Sequence, residues 1–372
     1  MAHSNIREIV KDVPEGLELG LRNYWYPLLL EDDLPANKPV GLMALGEKLV
    51  AWRDRSGVPH VLRDHCAHRG ARLSVGAILN DDIQCVFHGL RYNGSGRCVL
   101  IPWEADDSPL RDQVSVQSYS ARALGGYIWA YLGDAEKFSP PPLEDEVPEE
   151  LLDEDRFIWF HLPPETWTGN WLVTLDGQDA YHPVILHSRS QAVTGGKLDG
   201  NTLPMIDRRM RFTQASYGMR AFATDRDGIP VNQGHFTEVK GDRFSLPCLS
   251  TNPLRPTGEK LSYVSRVWQI PIDRDYTRAM RFVSFRAETD KERDACAKFY
   301  DEIALPRSLK VSAEDGFISE AQGTLEEARN GEFLFAPDED TLRLRRLLKQ
   351  VFLDECDGKR VPVTKETMLF PI

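Results

Sequence analysis

Two short loops, each offering one thiol and one imidazole, constrain this chain more tightly than anything else in its 372 residues. Asp64-His65-Cys66-Ala67-His68-Arg69-Gly70 supplies a Cys-x-His pair. After sixteen intervening residues, Cys85-Val86-Phe87-His88-Gly89 supplies Cys-x-x-His. Four such side chains brought together make a metal site. A structural zinc is the plain reading, because Cys₂His₂ is a common zinc set. Zinc fingers, however, usually pair Cys with Cys and His with His, whereas each loop here is mixed. A mixed pair on each of two facing loops is what a [2Fe–2S] centre requires when one iron takes both thiolates and the other both imidazoles. The other cysteines, Cys98, Cys248, Cys296 and Cys356, are scattered and read as ordinary thiols.

The surrounding sequence favours strands. Val40–Leu45, Leu49–Trp52 and Gly126–Leu132 are short apolar or alternating runs. Arg55-Ser56-Gly57, Asn80-Asp81-Asp82 and Asn93-Gly94-Ser95-Gly96 punctuate them, the last a strong hairpin signal. An antiparallel β domain over 24–135 is expected, preceded by an N-terminal extension, 1–23. Residues 136–156 hold Ser139-Pro140-Pro141-Pro142 and eight acids between Glu144 and Asp155. They read as a solvated linker, or equally as a surface loop within one domain. From 157 to 372 strand-like Arg278–Phe285 mixes with helix-prone Thr289–Leu305 and Ser312–Arg329 without regular βαβ alternation, so an α+β second domain is expected.

The 45 basic residues are outnumbered by 57 acidic ones, a net charge of −12. That balance argues against nucleic acid or an anionic membrane as partner. Residues 1–20 lack an apolar core of signal-peptide length and no stretch approaches a membrane span, so a cytoplasmic protein is expected.

A second constellation lies in Asn170-Trp171-Leu172-Val173-Thr174-Leu175-Asp176-Gly177-Gln178-Asp179-Ala180-Tyr181-His182-Pro183-Val184-Ile185-Leu186-His187, where Asp179-x-x-His182-x4-His187 stands out. Two His and one carboxylate on one face of an iron leave positions open for other ligands. Residues five apart lie about 140° apart on a regular helix, which is poor for shared ligation. Pro183 removes an N–H and disfavours α conformation at His182, so the helix is expected to be interrupted there. Taken alone, two histidines are more often ordinary surface or core residues.

Together the two constellations resemble the α subunits of Rieske-type non-haem iron oxygenases, closest in character to homotrimeric carbazole dioxygenase and O- or N-demethylase types. The pattern Cys-x-His-x16-Cys-x-x-His, with Arg-Gly after the first His and an aromatic before the last, carries the resemblance, as does Leu21–Pro27, which looks like the family's first strand. Val86 and Phe87 stand where many relatives have Pro and Tyr; neither departure removes a ligand. The family pattern leaves His65 out of the ligand set.

The resemblance implies a Rieske β domain followed by a helix-grip-like α+β catalytic domain. It makes Cys66, His68, Cys85 and His88 the [2Fe–2S] ligands, and His182 and His187 ligands of a mononuclear Fe(II). Ala313–Gln322 resembles the family's Glu-Asp-x-x-(apolar)-x-Glu-x-Gln, making Asp315 the third iron ligand, with Glu314 and Glu320 as alternatives. Asp315 also reads as an acid in the first turn of a helix after Ser312. Asp179 would link the two centres through hydrogen bonds to a histidine of each, and Asn170 would sit close to the iron.

The activity implied by the resemblance is O₂-dependent hydroxylation or oxidative O- or N-dealkylation of an apolar compound, with an aromatic one expected. A cis-dihydroxylating dioxygenase and a simple Rieske electron carrier are the alternatives. NAD(P)H electrons would arrive through a separate reductase and a ferredoxin, because no Gly-x-Gly-x-x-Gly fingerprint is present. A homotrimer is implied. Phe222, Phe236, Tyr263, Trp268 and Phe282 are candidate pocket walls, each more often a core residue.

Overall fold

The strand signals between residues 24 and 132 become eleven short strands. The computed structural model describes residues 13–177, 182, 186–187, 211–212, 223–224, 244–254, 260–335 and 338–363. The chain divides into two units. One runs Leu21–Val147, and the other joins the residues up to Gly20 with those from Pro148 on.

In the first unit every strand pairing is antiparallel. One sheet has the order β1 (Tyr24–Leu30), β11 (Tyr127–Leu132), β10 (Ala121–Leu124). A second has β2 (Val40–Ala44), β3 (Glu47–Arg53), β4 (Pro59–Arg63), β9 (Ser118–Tyr119). The third has β5 (Ala77–Leu79), β6 (Asp82–Gln84), β7 (Arg91–Tyr92), β8 (Cys98–Leu100). Strand β11, Tyr-Ile-Trp-Ala-Tyr-Leu, is buried at every position, as expected of an aromatic, β-branched run between two neighbours. The Asn93 hairpin forms as its sequence indicates. Asn93 Oδ1 accepts from the Ser95 and Arg97 amides, and Gly96 takes φ +79°, where a Cβ would stand 2.0 Å from the Val116 carbonyl oxygen.

The boundary between the units falls inside the acidic segment, which is less solvated than its composition indicates. Leu143, Glu150 and Leu151 are buried, and Glu150 receives the Arg266 guanidinium at 2.8 and 3.1 Å. Arg122 and Arg156 hold Glu144 and Asp153. Leucines at intervals and arginine partners turn this stretch into ordered packing, which counting acids cannot reveal. The N-terminal residues also do more than extend the chain. A 3₁₀ turn, Leu17–Leu19, gives its carbonyls to Trp171 Nε1 and Asn170 Nδ2.

The second unit is built on a five-stranded antiparallel sheet of order β12 (Phe157–Thr168), β18 (Tyr276–Arg286), β17 (Tyr263–Pro271), β16 (Leu249–Leu254), β15 (Phe244–Ser245). Strands β13 (Arg211–Phe212) and β14 (Ala223–Thr224) pair with each other as a separate two-stranded sheet. Helix α1 (Trp171–Asp176) follows β12; α2 (Asp290–Phe299), a π turn (Tyr300–Ala304), α3 (Leu305–Gln322), α4 (Leu325–Arg329) and α5 (Glu339–Cys356) follow β18. Thr289 opens α2 with a capping box closed by Glu292. Leu162, Val283 and Phe285 from the sheet pack against Cys296, Phe299 and Tyr300. Tyr263 belongs to this core, and Trp268 stacks on Phe282 at 5.6 Å. Phe222 and Phe236 lie outside the described residues.

Helix α3 starts earlier than expected. Pro306 is tolerated in its first turn, where a missing N–H costs nothing. Ser312 therefore sits inside the helix, donating to Glu165 Oε2 at 2.6 Å, and Asp315 is a mid-helix residue, not a first-turn acid.

Candidate metal centres

The two cysteine loops are built alike. In each, the Cys N–H bonds the carbonyl five residues on, and the glycine N–H four residues on returns to the Cys carbonyl: Cys66 to Ala71 and Gly70 to Cys66, Cys85 to Leu90 and Gly89 to Cys85. The glycines take φ of +74° and +79°, a left-handed conformation that a side chain at either position would strain. Cys66 and Cys85 are each 1% exposed and join the core of Trp52, Leu62, Leu73, Ile83 and Tyr92. His68 is exposed and His88 half-buried.

The ligand atoms sort by kind. The two thiols lie within hydrogen-bonding reach of each other, and the two imidazoles meet with ring centroids 4.5 Å apart. Among the described residues, the four do not form a set with three ligand atoms mutually within 4.8 Å. A single tetrahedral zinc with bonds of about 2.0–2.3 Å would draw its ligand atoms closer than that. Sulfur beside sulfur and imidazole beside imidazole instead fit two irons with unlike ligands. Burial pushes the Cys85 thiol up, and the neighbouring Cys66 adds to this. Backbone N–H groups of Phe87 and His88 bond the Cys85 sulfur and would favour its thiolate. Burial, then His68 and Arg69, lowers the His88 pKa, keeping a neutral imidazole available as a ligand.

Tyr92 was not legible as part of this site. Its hydroxyl accepts the Ala67 amide and lies 3.2 Å from Cys66 Sγ. Against a thiolate it can only donate, and hydrogen bonds to the sulfurs help to set a cluster's potential. Tyr92→Phe is expected to lower the reduction potential by tens of millivolts, because a donor to sulfur favours the more negative, reduced cluster and about 1 kcal/mol of such preference is about 40 mV for one electron. Protein-film voltammetry checks it; an unchanged potential removes Tyr92 from the site.

In the second unit the structure brings His182, His187 and Asp315 together, the only such set among the described residues. His182 Nε2 lies 3.1 Å from His187 Nε2, and Asp315 Oδ1 lies 3.3 Å from His187 Nε2 and 3.8 Å from His182 Nε2. Metal bonds of about 2.1 Å at right angles would set ligand atoms about 3.0 Å apart, so these edges fit one face of an octahedral ion. Helix α1 stops at Asp176 and Leu186 N–H bonds the His182 carbonyl, while the expected break at Pro183 lies outside the described residues. Burial opposes charging His187, but Asp315 and Glu314 outweigh it and raise the pKa. A cation would displace that proton.

Helix α3 is held against β12 at two close approaches. A Cβ on Gly316 would stand 2.9 Å from Trp167 Cδ1, and one on Gly169 would stand 2.4 Å from Ser319 Oγ. Beneath them Glu165 accepts from Arg281, Ser312 and Trp167. Asp176, at the end of α1, pairs with Arg329 at 2.7 Å and Arg345 at 2.8 Å, and both arginines also reach Glu332.

The remaining candidates stand outside the triad. Glu314 does not join the triad but meets the far side of His187, and Glu320 is exposed. Asn170, expected beside the iron, is a helix cap: its Oδ1 accepts from Leu172 N–H and its Nδ2 donates to the Glu18 and Arg274 carbonyls. Asx residues before a helix are strong N-caps, and these bonds use both of the amide's donors. Asp179 lies outside the described residues.

Residues 24–120 match the Rieske [2Fe-2S] domain. The chain is 31% identical over 302 residues to the tert-butanol monooxygenase / tert-amyl alcohol desaturase oxygenase subunit of Aquincola tertiaricarbonis, covering 77% of this chain and 61% of the relative. It is 32% identical over 289 residues to the 5,5'-dehydrodivanillate O-demethylase oxygenase subunit of Sphingobium sp. (strain NBRC 103272 / SYK-6), covering 75% and 62%. The chain thus spans about three fifths of the length of these curated relatives. The oxygenase in a reduced complex with ferredoxin from carbazole 1,9a-dioxygenase shares its fold, with a TM-score of 0.69 and 22% identity over 96% of this chain and 98% of that one. Among the described residues no helix is long and apolar enough to cross a membrane.

Proposed function

We propose, from the premise that this chain is a homologue of Rieske-type oxygenase subunits, that it is itself a terminal oxygenase which uses O₂ to hydroxylate or oxidatively dealkylate an apolar organic compound. The observation that carries this reading is the coexistence of two unlike sites in one chain: paired thiols and paired imidazoles at 66–88, and a two-His, one-carboxylate face at 182, 187 and 315. Once loaded, the first would relay single electrons and the second would offer open iron positions to O₂ and substrate.

This chain's residues do the rest. Cys66, Cys85, His68 and His88 would hold the cluster, with the imidazoles at the accessible edge where electrons enter. His182, His187 and Asp315 occupy one side of the mononuclear site and leave the opposite side to reactants. Asp179 would connect the two kinds of centre by hydrogen bonds between neighbouring copies in a ring of three, since head-to-tail contacts close into rings. A ferredoxin fed by an NAD(P)H-dependent reductase would supply the electrons.

Metal analysis tests the assignment. About three irons and two acid-labile sulfides per chain are expected. Two irons alone would make the protein an electron carrier, and zinc without labile sulfide would make it neither. A substrate panel run with reductase, ferredoxin and labelled O₂ then identifies the reaction by mass spectrometry.

A further inference from the structure

Glu314 and Asp315 are chain neighbours in α3, yet they meet the same imidazole from opposite sides. Asp315 Oδ1 lies 3.3 Å from His187 Nε2, on the side shared with His182. Glu314 Oε2 lies 2.8 Å from Nδ1 of the same ring. Successive helix residues point about 100° apart, so adjacent carboxylates on one helix reach different sides of an object lying beside it. His187 is 3% exposed, which leaves little water to replace either contact.

We propose that Glu314 is the positioning residue of the mononuclear site. It accepts the Nδ1–H of His187, fixes the tautomer that leaves Nε2 unprotonated, and locks the ring plane toward the metal. An imidazole that ligates through one nitrogen and donates its other N–H to a carboxylate is a more basic and better oriented ligand. Glu314 also adds a second negative charge to that of Asp315. The pair balances a divalent cation, so a buried metal site carries no net charge. The inference rests on the metal-site reading above and extends it, separating the two adjacent acids into one ligand and one orienting group.

The test uses full-length protein with its cluster intact, the mononuclear site stripped and then titrated with Co(II) against a competing chelator. Wild type should take up one Co(II) and show a paramagnetically shifted, solvent-exchangeable N–H resonance from His187. Glu314→Ala should bind Co(II) 10- to 100-fold more weakly and lose that resonance. Glu314→Gln keeps an acceptor oxygen and should retain the resonance with a smaller loss of affinity. Cluster absorbance and unfolding midpoint should be equal in all three, which separates positioning from general destabilisation. Equal affinity and an equal N–H signal in the three proteins would overturn the role of Glu314. A wild type that binds no Co(II) would overturn the metal-site reading itself.

Discussion

Replacing His182 with alanine should leave a protein that keeps its cluster and loses its turnover. The labile sulfide content should stay at about two per chain while iron falls from about three to two. His182 belongs to a different unit from Cys66, His68, Cys85 and His88, so the cluster's absorbance should be unchanged. At the triad, two protein ligands would remain where three had enclosed one face. Groups that act as a unit lose nearly everything when one is removed, so turnover should fall by roughly 10³-fold or more. The fold should tolerate the change, because the His182 side chain is partly exposed. Iron and sulfide analysis with single-turnover assays decides the matter. A variant retaining three irons, or activity within tenfold of wild type, would remove His182 from the site.

The candidate ligands were legible because metal chemistry restricts composition. A thiol and an imidazole two or three residues apart, repeated within one short segment, have few structural uses, so Cys66, His68, Cys85 and His88 announce a site before any fold is known. His182 and His187 were legible only beside that motif, because two histidines five apart carry no signal of their own. Residues that support the site were hidden because their meaning depends on tertiary position. Tyr92 is 26 residues from Cys66, whose sulfur it meets. Glu165 is 147 residues from Ser312, which it anchors. Asn170 was hidden in another way, because its role as a helix cap is visible only in the partners of its amide. The acidic segment misled for a related reason, since the partners of Glu144, Glu150 and Asp153 are arginines from elsewhere in the fold or, for Asp153, three residues on.

Gly316 tests whether the fold positions the triad or merely contains it. In an ordinary helix interior, Gly→Ala stabilises by about 1 kcal/mol. Here the added Cβ would stand 2.9 Å from Trp167 Cδ1, in a wall that is 5% exposed and tied to Glu165 through Trp167 Nε1. The usual gain should therefore vanish for Gly316→Ala, and the bulkier Gly316→Val should destabilise by about 1–3 kcal/mol through overpacking. Relief requires α3 to move away from β12, and Asp315 and Glu314 move with it. A misplacement of about 1 Å is enough to lower turnover about 100-fold, so Gly316→Val should lose mononuclear iron and activity while keeping its cluster. Trp167→Leu opens the wall, and the double variant should regain iron binding, with a coupling of about 0.5–3 kcal/mol between two residues in contact. If Gly316→Val bound iron as wild type does, α3 would be free to adjust without disturbing its acids, and the close approach at Trp167 would be incidental to the site.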